Sequence, residues 1–210
     1  MPQKNTTMKW QQEGAQNPLD GNPALCEAAL NTFSAKSYQE SSLNDILKAA
    51  GMNKGSFYYR FNDKLDLYLC LFHKLSLEKF AVFAQYDDTN TQDDFFTSIR
   101  KKAVLGIRFA RKEPRYHALS NRFLAEEVRF RETVLQAFGG VTENVLLGMV
   151  TDAQAKGQVR TDIPAQVTAE VFSVLLERLD KILTPAMTDD EVLSKLDELI
   201  AVLRDGTAAR

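Results

Sequence analysis

The sequence has few of the residues from which metal and disulfide sites are built. Among its 210 residues are two cysteines and two histidines, which are Cys26, Cys70, His73 and His117. Two isolated cysteines indicate free thiols rather than a disulfide framework. The two histidines have no partners at the spacing of metal ligands. We therefore expect no metal and no cofactor, and we interpret the histidines as structural, with the lining of a ligand pocket as the alternative.

Long apolar runs and an excess of positive charge are also missing. No stretch approaches the roughly 18 apolar residues of a membrane span, and residues 1–22 lack the apolar run of a secretory signal. We therefore expect a cytoplasmic protein that does not enter a membrane. The net charge of −2 argues against a general nucleic-acid coating protein. A local basic patch is still sufficient for specific DNA binding, because phosphate contacts act within a Debye length of about 10 Å.

Sequence motifs of catalysis are missing as well. We find no nucleophile elbow, phosphate-binding loop, HExxH motif or dinucleotide fingerprint. The adjacent acids Glu126-Glu127 and the run Asp189-Asp190-Glu191 are typical of solvated helix caps. We therefore expect that the protein is not an enzyme.

The chain does contain helical periodicity along most of its length, without a convincing strand or hairpin pattern. Asn22-Pro23 is a typical helix start, with proline at the first helical position. The pattern from Val128 to Gln154 fits either one long helix or two halves bent at Gly139-Gly140. We predict an all-α fold of about nine helices. In this prediction residues 1–21 are a flexible arm, residues 22–69 a three-helix module, and residues 70–210 a larger helical domain.

Residues 42–61 are the most informative segment. Its first half has apolar residues on one helical face, at Leu43, Ile46, Leu47 and Ala50. Gly51 predicts the end of that helix, because glycine adopts the left-handed conformation of a helix C-cap. Ser42 and Asn53 are suited to cap the first and second helices at their N-termini. The segment therefore predicts two short helices joined by a glycine-centred turn.

The second helix of this pair carries hydrogen-bond donors and aromatic rings instead of the usual mixture of Glu and Lys. These residues are Lys54, Ser56, Tyr58, Tyr59 and Arg60. Phe57 and Phe61 lie one turn apart and are predicted to face the core. A helix of this kind, held across a packed first helix, is typical of those that enter the DNA major groove.

Residues 23–69 resemble the N-terminal DNA-binding module of the TetR family of bacterial transcriptional regulators. The matching residues are Ala29, Phe33, Tyr38, Ser42, Ile46, Ala50-Gly51, Lys54-Gly55, Tyr58, Phe61, Lys64 and Leu67. Residues 70–210 resemble the family only in outline. The resemblance implies a dimeric repressor that a small apolar or amphipathic ligand releases from a pseudo-palindromic double-stranded DNA operator. The alternative is a helical ligand-binding or protein-interaction module with a weak or vestigial DNA head.

The resemblance also implies roles for individual residues. Ser42 and Lys64 would touch phosphates, Lys54, Gly55 and Ser56 would approach the groove, and Tyr58 and Tyr59 would reach the backbone or a base edge. Arg60 has two open roles, which are reading guanine and holding a phosphate. The complete predicted DNA-binding set is Ser42, Asn53, Lys54, Gly55, Ser56, Tyr58, Tyr59, Arg60 and Lys64.

Two departures from the family pattern stand out. Ser37 occupies the turn after the first helix, where the family usually has glycine, so this turn is expected to be strained or different. The first helix also starts without the basic residue that often grips DNA. Lys4 and Lys9 on the arm are candidates to replace that contact.

Two further sites are predicted beyond residue 70. Some of the many aromatic residues there are expected to line an apolar ligand cavity. The candidates are Phe72, His73, Phe80, Phe96, Phe109, His117, Phe123 and Phe138. The last two helices have broad apolar stripes, and in the TetR family these helices pair to form a dimer. The candidate dimer residues are Phe172, Leu175, Leu179, Leu193, Leu196, Ile200 and Leu203.

Overall fold

A computed structural model describes residues 8–84, 93–138, 141–177, 179–182 and 186–208. The regular secondary structure in these ranges is helical, and one isolated bridge pairs Val159 with Ala208. The predicted all-α class is therefore confirmed. The helices are α1 Lys9–Gln12, α2 Pro23–Ala35, α3 Leu43–Ala49, α4 Lys54–Arg60, α5 Lys64–Ala84, α6 Phe95–Lys112, α7 Pro114–Leu124, α8 Val128–Ala137, α9 Val141–Ala155, α10 Ala165–Glu177, α11 Leu179–Ile182 and α12 Asp189–Thr207.

The described ranges hold twelve helical segments, more than the nine or so predicted. One addition is α1, a single turn within the predicted arm. The pattern from Val128 to Gln154 corresponds to α8 and α9, the two halves of the open alternative. The predicted helix over 164–183 corresponds to α10 and α11. Residues 139–140, between α8 and α9, and residue 178, between α10 and α11, lie outside the described ranges.

The described residues form two compact units, each with its own apolar core. The first unit contains residues 8–84 and 109–138, and the second contains residues 93–108 and 141–208. In the first unit α2 packs against α3, α5 and α7, and in the second α9 packs against α10. The predicted division between residues 69 and 70 falls inside α5, so it stays a prediction about the division of functions.

Aromatic side chains fill the core of the first unit. The ring of Phe33 on α2 meets the ring of Tyr68 on α5 edge to face, with centroids 4.9 Å apart. Tyr38, in the connection between α2 and α3, stacks on Phe130 of α8 at 4.4 Å. Since these four residues come from separate parts of the chain, their packing fixes the positions of the helices that flank α3 and α4.

Residues 8–20 are packed onto the first unit. Met8 and Leu19, near the two ends of this segment, are each 1% exposed. Between them, the side-chain amide of Asn17 donates to the carbonyl of Cys70 at 2.8 Å, and its oxygen accepts from the Leu19 N–H at 3.0 Å. The prediction of a flexible arm is therefore corrected for residues 8–20, because buried apolar anchors hold both ends. Residues 1–7, including Lys4, lie outside the described part of the chain.

No helix in the described ranges combines the length and the apolar character that crossing a bilayer requires.

Candidate nucleic-acid interface

Local capping defines the turn between α3 and α4. Gly51 has a φ of 63°, its N–H donates to the carbonyl of Lys48 at 3.2 Å, and the Met52 N–H donates to that of Leu47 at 2.9 Å. This is the Schellman arrangement that ends a helix on a left-handed residue. At the start of α4, the side-chain oxygen of Asn53 accepts from the Ser56 N–H at 2.8 Å. The predicted helix end at Gly51 and helix start at Asn53 are confirmed.

The first helix of the pair is capped in the same way. The hydroxyl oxygen of Ser42 accepts from the Asp45 N–H at 3.3 Å at the start of α3. At the start of α5, the Asp63 carboxylate accepts from the Asp66 N–H at 2.9 Å, while Asp66 accepts from the Asn62 N–H at 2.8 Å. Side-chain caps of this kind satisfy N–H groups that have no partner inside the helix.

Helix α4 has one buried face and one exposed face. Phe57 and Phe61 are fully buried, with their rings stacked at 5.0 Å. Tyr58 and Tyr59 are 51% and 78% exposed, and Lys54 is exposed as well. The sequence of α4, KGSFYYR, contains no acidic residue. The exposed face therefore offers aromatic rings, phenolic hydroxyls and positive charge to a polyanion.

Some of the predicted contact residues also have a structural role within α4, namely Asn53, Gly55 and Arg60. The guanidinium of Arg60 donates to the Ser56 carbonyl at 2.8 Å and lies 5.7 Å from the centre of the Tyr59 ring. A Cβ at Gly55 would lie 3.3 Å from the side-chain oxygen of Asn53, so a larger residue there would press on the N-cap. The predicted DNA contacts of these residues, including both roles of Arg60, stay predictions.

Lys64 is engaged within the protein. Its ammonium donates to the carbonyls of Tyr38 and Ser41 at 2.6 and 2.8 Å and lies 4.2 Å from the centre of the Tyr38 ring. Burial lowers the pKa of Lys64, and the nearby Glu126 carboxylate opposes that shift. Glu126 in turn accepts from the Tyr38 N–H at 2.7 Å. Lys64 and Glu126 therefore both fix the connection between α2 and α3, and the phosphate contact of Lys64 stays a prediction.

Ser37 has a defined role in that same connection. Its hydroxyl and its N–H donate to the Glu40 carboxylate at 2.6 and 3.2 Å, and these bonds lower the pKa of Glu40. Within the described ranges no residue other than glycine has a positive φ. Serine in place of glycine is therefore accommodated without left-handed strain, and the turn is held by side-chain hydrogen bonds.

Lys9 makes a contact with α4 that the sequence pattern does not predict. The Lys9 ammonium donates to the carbonyls of Tyr58 and Tyr59 at 3.0 and 2.8 Å. The sequence predicts Lys9 only as a candidate to replace a phosphate contact from a flexible arm. The available signal was the presence of two large apolar residues, Met8 and Trp10, in an otherwise polar segment.

The predicted ligand-pocket residues have varied environments. Phe72, Phe123 and Phe138 pack against the core of the first unit, and the Phe109 ring lies 5.8 Å from that of Tyr116. The His73 ring meets Trp10 edge on at 5.0 Å. Nε2 of the His117 ring lies 3.1 Å from the Asn121 side-chain nitrogen, and Phe80 is 47% exposed.

Phe96 belongs to the second unit and lines a cavity of about 240 Å³. The same cavity is lined by Arg100 and Asp197, which form an ion pair with 2.9 Å between Nη2 and Oδ2. Arg204 also lines it, with its guanidinium 5.2 Å from the centre of the Phe96 ring. This cavity is partly charged, unlike the apolar pocket that the sequence predicts, so the ligand pocket stays a prediction.

The predicted dimer residues divide into buried and partly exposed groups. Phe172, Leu179, Leu196 and Ile200 are buried in the core of the second unit, with exposures of 0, 8, 0 and 5%. Because they are covered by their own unit, their assignment to an interface is corrected. Leu175 and Leu203 are partly buried against the same core, and Leu193 is partly buried. The exposed apolar residues of α10 are Val167, Val171 and Val174, which form one stripe at helical spacing.

Cysteine and histidine chemistry does not add a site in the described residues. Cys26 and Cys70 are free thiols, and burial raises the pKa of both. Burial lowers the pKa of His73, which favours its neutral form. No group of three or more His, Cys, Asp or Glu side chains in the described ranges is arranged to hold a metal ion.

The comparisons with known proteins agree with this geometry. Residues 25–71 match the model of the family "Bacterial regulatory proteins, tetR family". The chain is 26% identical over 114 residues to the probable acrEF/envCD operon repressor of Escherichia coli (strain K12). This match covers 53% of this chain and half the length of that relative. The match therefore leaves the other half of that repressor uncovered.

Two solved structures share the fold over nearly the whole chain. A TetR family transcriptional regulator from Chloroflexus aurantiacus J-10-fl has a TM-score of 0.69 and 27% identity, covering 92% of this chain and 95% of that one. The transcriptional regulator FadR from Bacillus subtilis, in complex with stearoyl-CoA, has a TM-score of 0.68 and 15% identity, covering 88% and 98%. Together with the tetR-family match of residues 25–71, these likenesses show that the chain is similar to TetR family regulators and shares their fold over nearly its whole length.

Proposed function

We propose that this protein is a sequence-specific DNA-binding transcriptional regulator that acts as a dimeric repressor and leaves a pseudo-palindromic operator when a small ligand binds. The observation that carries the proposal is the two-faced helix α4. It buries Phe57 and is followed by the buried C-cap residue Phe61. It exposes Tyr58, Tyr59 and Lys54, and it contains no acidic residue. A helix with these properties is suited to the major groove.

The proposed contacts follow from exposure and chemistry. Tyr58 and Tyr59 combine a rigid ring with a hydroxyl that donates to phosphates or base edges. The ring of Tyr58 is supported edge to face by the buried ring of Phe57 at 5.2 Å, which limits its freedom before binding. Lys54, in the first turn of α4, supplies positive charge, and phosphate neutralisation by such residues supplies much of the affinity.

The dimer is supported by the surface of α10. Val167, Val171 and Val174 are 46, 49 and 63% exposed and lie on one face. An exposed apolar stripe of this kind is a common feature of protein interfaces. In a twofold dimer each protomer would present one α4, and the two half-sites would share the symmetry of the protein.

Release of the operator by a small ligand is supported by the proteins to which this chain is similar. The similar Escherichia coli protein is described as a repressor, and the Bacillus subtilis protein of the same fold binds stearoyl-CoA. In our chain, a ligand in the C-terminal part would favour a conformer whose recognition helices no longer match the operator. It can do so only by binding that conformer more tightly than the DNA-binding one.

DNA selection followed by substitution tests the proposal. Genomic fragments are incubated with the purified chain, bound fragments are sequenced, and affinity is measured by fluorescence anisotropy. We expect Tyr58→Ala and Tyr59→Ala each to weaken binding by about tenfold or more, since each removes base or phosphate contacts worth about 1–3 kcal/mol.

Leu77→Ala is the matched control, because Leu77 is 55% exposed but lies on α5. It should leave affinity unchanged, and all three variants should keep the circular dichroism spectrum of the parent. If no genomic fragment is enriched, or if the tyrosine variants bind as tightly as the parent, the proposed function is wrong and an interaction module with a vestigial head becomes the better description.

A further inference from the structure

We propose that Lys9 is a positioning residue for DNA recognition, which holds α4 in its binding conformation by closing the C-terminal end of that helix. The proposal rests on the proposed function of α4 and adds a role for residues 8–20. These residues precede the segment 25–71 that the family model matches.

Helix α4 needs support at its C-terminal end because it is only seven residues long. The last four carbonyls of a helix have no partner within it. In α4, the Phe57 carbonyl accepts from the Phe61 N–H at 2.9 Å. The carbonyls of Tyr58 and Tyr59 accept from the Lys9 ammonium at 3.0 and 2.8 Å. A positive charge at this end also interacts favourably with the helix dipole.

Lys9 is itself anchored to the helix that follows α4. Its backbone N–H lies 3.3 and 3.4 Å from the two carboxylate oxygens of Asp66 on α5. The same carboxylate accepts from the N–H of Asn62, in the connection between α4 and α5, at 2.8 Å. The buried Asp66 carboxylate thus binds both the segment that follows α4 and the lysine that binds the last carbonyls of α4.

The whole segment is docked along one face of α5. Asp66, Cys70 and Lys74 are spaced four residues apart, so they lie on the same side of the helix. Their partners are Lys9, Asn17 and Asp20 respectively. The segment therefore ties the end of α4 to about two turns of α5, and it provides a physical connection between the two helices besides the chain itself.

A direct phosphate contact is the competing role for Lys9. Two of the three donors of its ammonium are directed to carbonyls of α4, which favours positioning. The two roles differ in their dependence on salt. Loss of a phosphate contact lowers the slope of log affinity against log salt by about one, whereas loss of a positioning contact lowers affinity and leaves the slope unchanged.

The experiment uses the full chain with Lys9→Met, which keeps most of the side-chain length and removes the charge. Hydrogen–deuterium exchange of the amides in residues 54–62 is measured without DNA. Anisotropy with a selected genomic fragment is then measured at several salt concentrations. We expect exchange to accelerate by about three- to tenfold and affinity to fall by a similar factor, consistent with the modest strength of an exposed helix cap. The salt slope should remain that of the parent.

Lys156→Met is the charge-matched control, because Lys156 is exposed on the second unit and its ion pair is with Asp152 on the same surface. It should change neither measurement. Lys9→Arg should restore both, since a guanidinium can donate to the two carbonyls. Trp10 is the only tryptophan in the chain, so its emission reports whether the segment is still docked in each variant.

A salt slope that falls by about one in Lys9→Met would overturn the proposal in favour of a phosphate contact. Unchanged exchange in residues 54–62 would overturn it as well, whatever happens to DNA binding. If the parent chain binds no fragment, the proposed function fails, and the exchange measurement alone still decides whether Lys9 holds α4.

Discussion

At the residue scale, two lysines that the sequence presents as candidates for phosphate contacts bind backbone carbonyls in the structure. The resemblance to TetR-family proteins implies that Lys64 binds a phosphate, and Lys9 was a candidate for the same task. In the structure each ammonium donates to two backbone carbonyls, those of Tyr38 and Ser41 for Lys64 and those of Tyr58 and Tyr59 for Lys9. Both lysines therefore help to fix the backbone around α3 and α4 within the protein itself.

The Asp66 carboxylate accepts hydrogen bonds from the backbone N–H groups of Lys9 and Asn62. It is 5% exposed, and burial raises its pKa above the ordinary 3.8, while hydrogen bonds from Asn62 and Lys9 only partly oppose the shift. The folded protein thus binds the Asp66 proton more tightly than the unfolded chain does. The corresponding stability is complete below the ordinary pKa and is lost as the pH rises through the raised value.

Asp66→Asn should remove this pH dependence, since asparagine carries no titrating proton and keeps an acceptor oxygen. We expect the free energy of unfolding of the parent to fall, relative to the variant, as the pH rises from about 4 towards neutrality. Each unit of pKa difference corresponds to about 1.4 kcal/mol. Urea denaturation at several pH values measures both curves, and parallel curves for parent and variant would contradict the assignment.

At the scale of single elements, α10 shows why apolar residues need to be sorted by exposure. Phe172 and Val174 are two positions apart, yet Phe172 is fully buried and Val174 is 63% exposed. The Phe172 ring packs edge to face against Phe95 of α6 at 5.3 Å. The stripe that faces outward consists of valines, whereas the residues that the sequence pattern predicts for the interface include buried core residues such as Phe172.

This arrangement gives a pair of opposite expectations. Phe172→Ala should cost about 3–5 kcal/mol of stability because it leaves a cavity. Val174→Asp should change stability by less than about 0.5 kcal/mol, but it should weaken the proposed dimer by about tenfold or more. Urea denaturation and sedimentation velocity over a range of concentrations measure the two effects.

Val128→Asp provides the comparison for the second effect, since Val128 is 60% exposed but lies on α8 of the first unit. Its sedimentation should match that of the parent. Unchanged association of Val174→Asp would mean that the stripe on α10 does not form the proposed interface.

Helix α4 shows which elements are predictable from sequence alone. The sequence correctly predicts the roles of Gly51, Asn53, Phe57 and Phe61, because caps and helical faces depend on residues within a few positions of each other. The contact that satisfies the last carbonyls of α4 is not predictable from sequence. It depends on Lys9, which lies 49 and 50 positions before the carbonyls that it contacts, and sequence periodicity has no information about such pairs.

At the scale of the whole molecule, the proposed dimeric repressor predicts the number of chains that bind one operator. A twofold dimer should place two chains on one operator, with half-sites separated by about one helical turn of DNA or a multiple of it. We expect stoichiometric titration to give two chains per site. Scrambling one half-site should weaken binding by about tenfold or more, because it removes the base contacts of one α4. A single chain on an asymmetric site would contradict the dimeric form of the proposal.

The sequence by itself determined the helical class, the position of the helix–turn–helix segment and the resemblance that names the family. These features depend on local capping, on periodicity and on a spaced set of residues within 23–69. The tertiary structure alone decided that residues 8–20 are docked, that Lys9 and Lys64 bind backbone carbonyls, and that Phe172 belongs to the core while Val174 does not. The physical reason is that burial and hydrogen bonding between distant residues exist only once the chain has folded, since residue type fixes what a side chain can do and packing fixes what it meets.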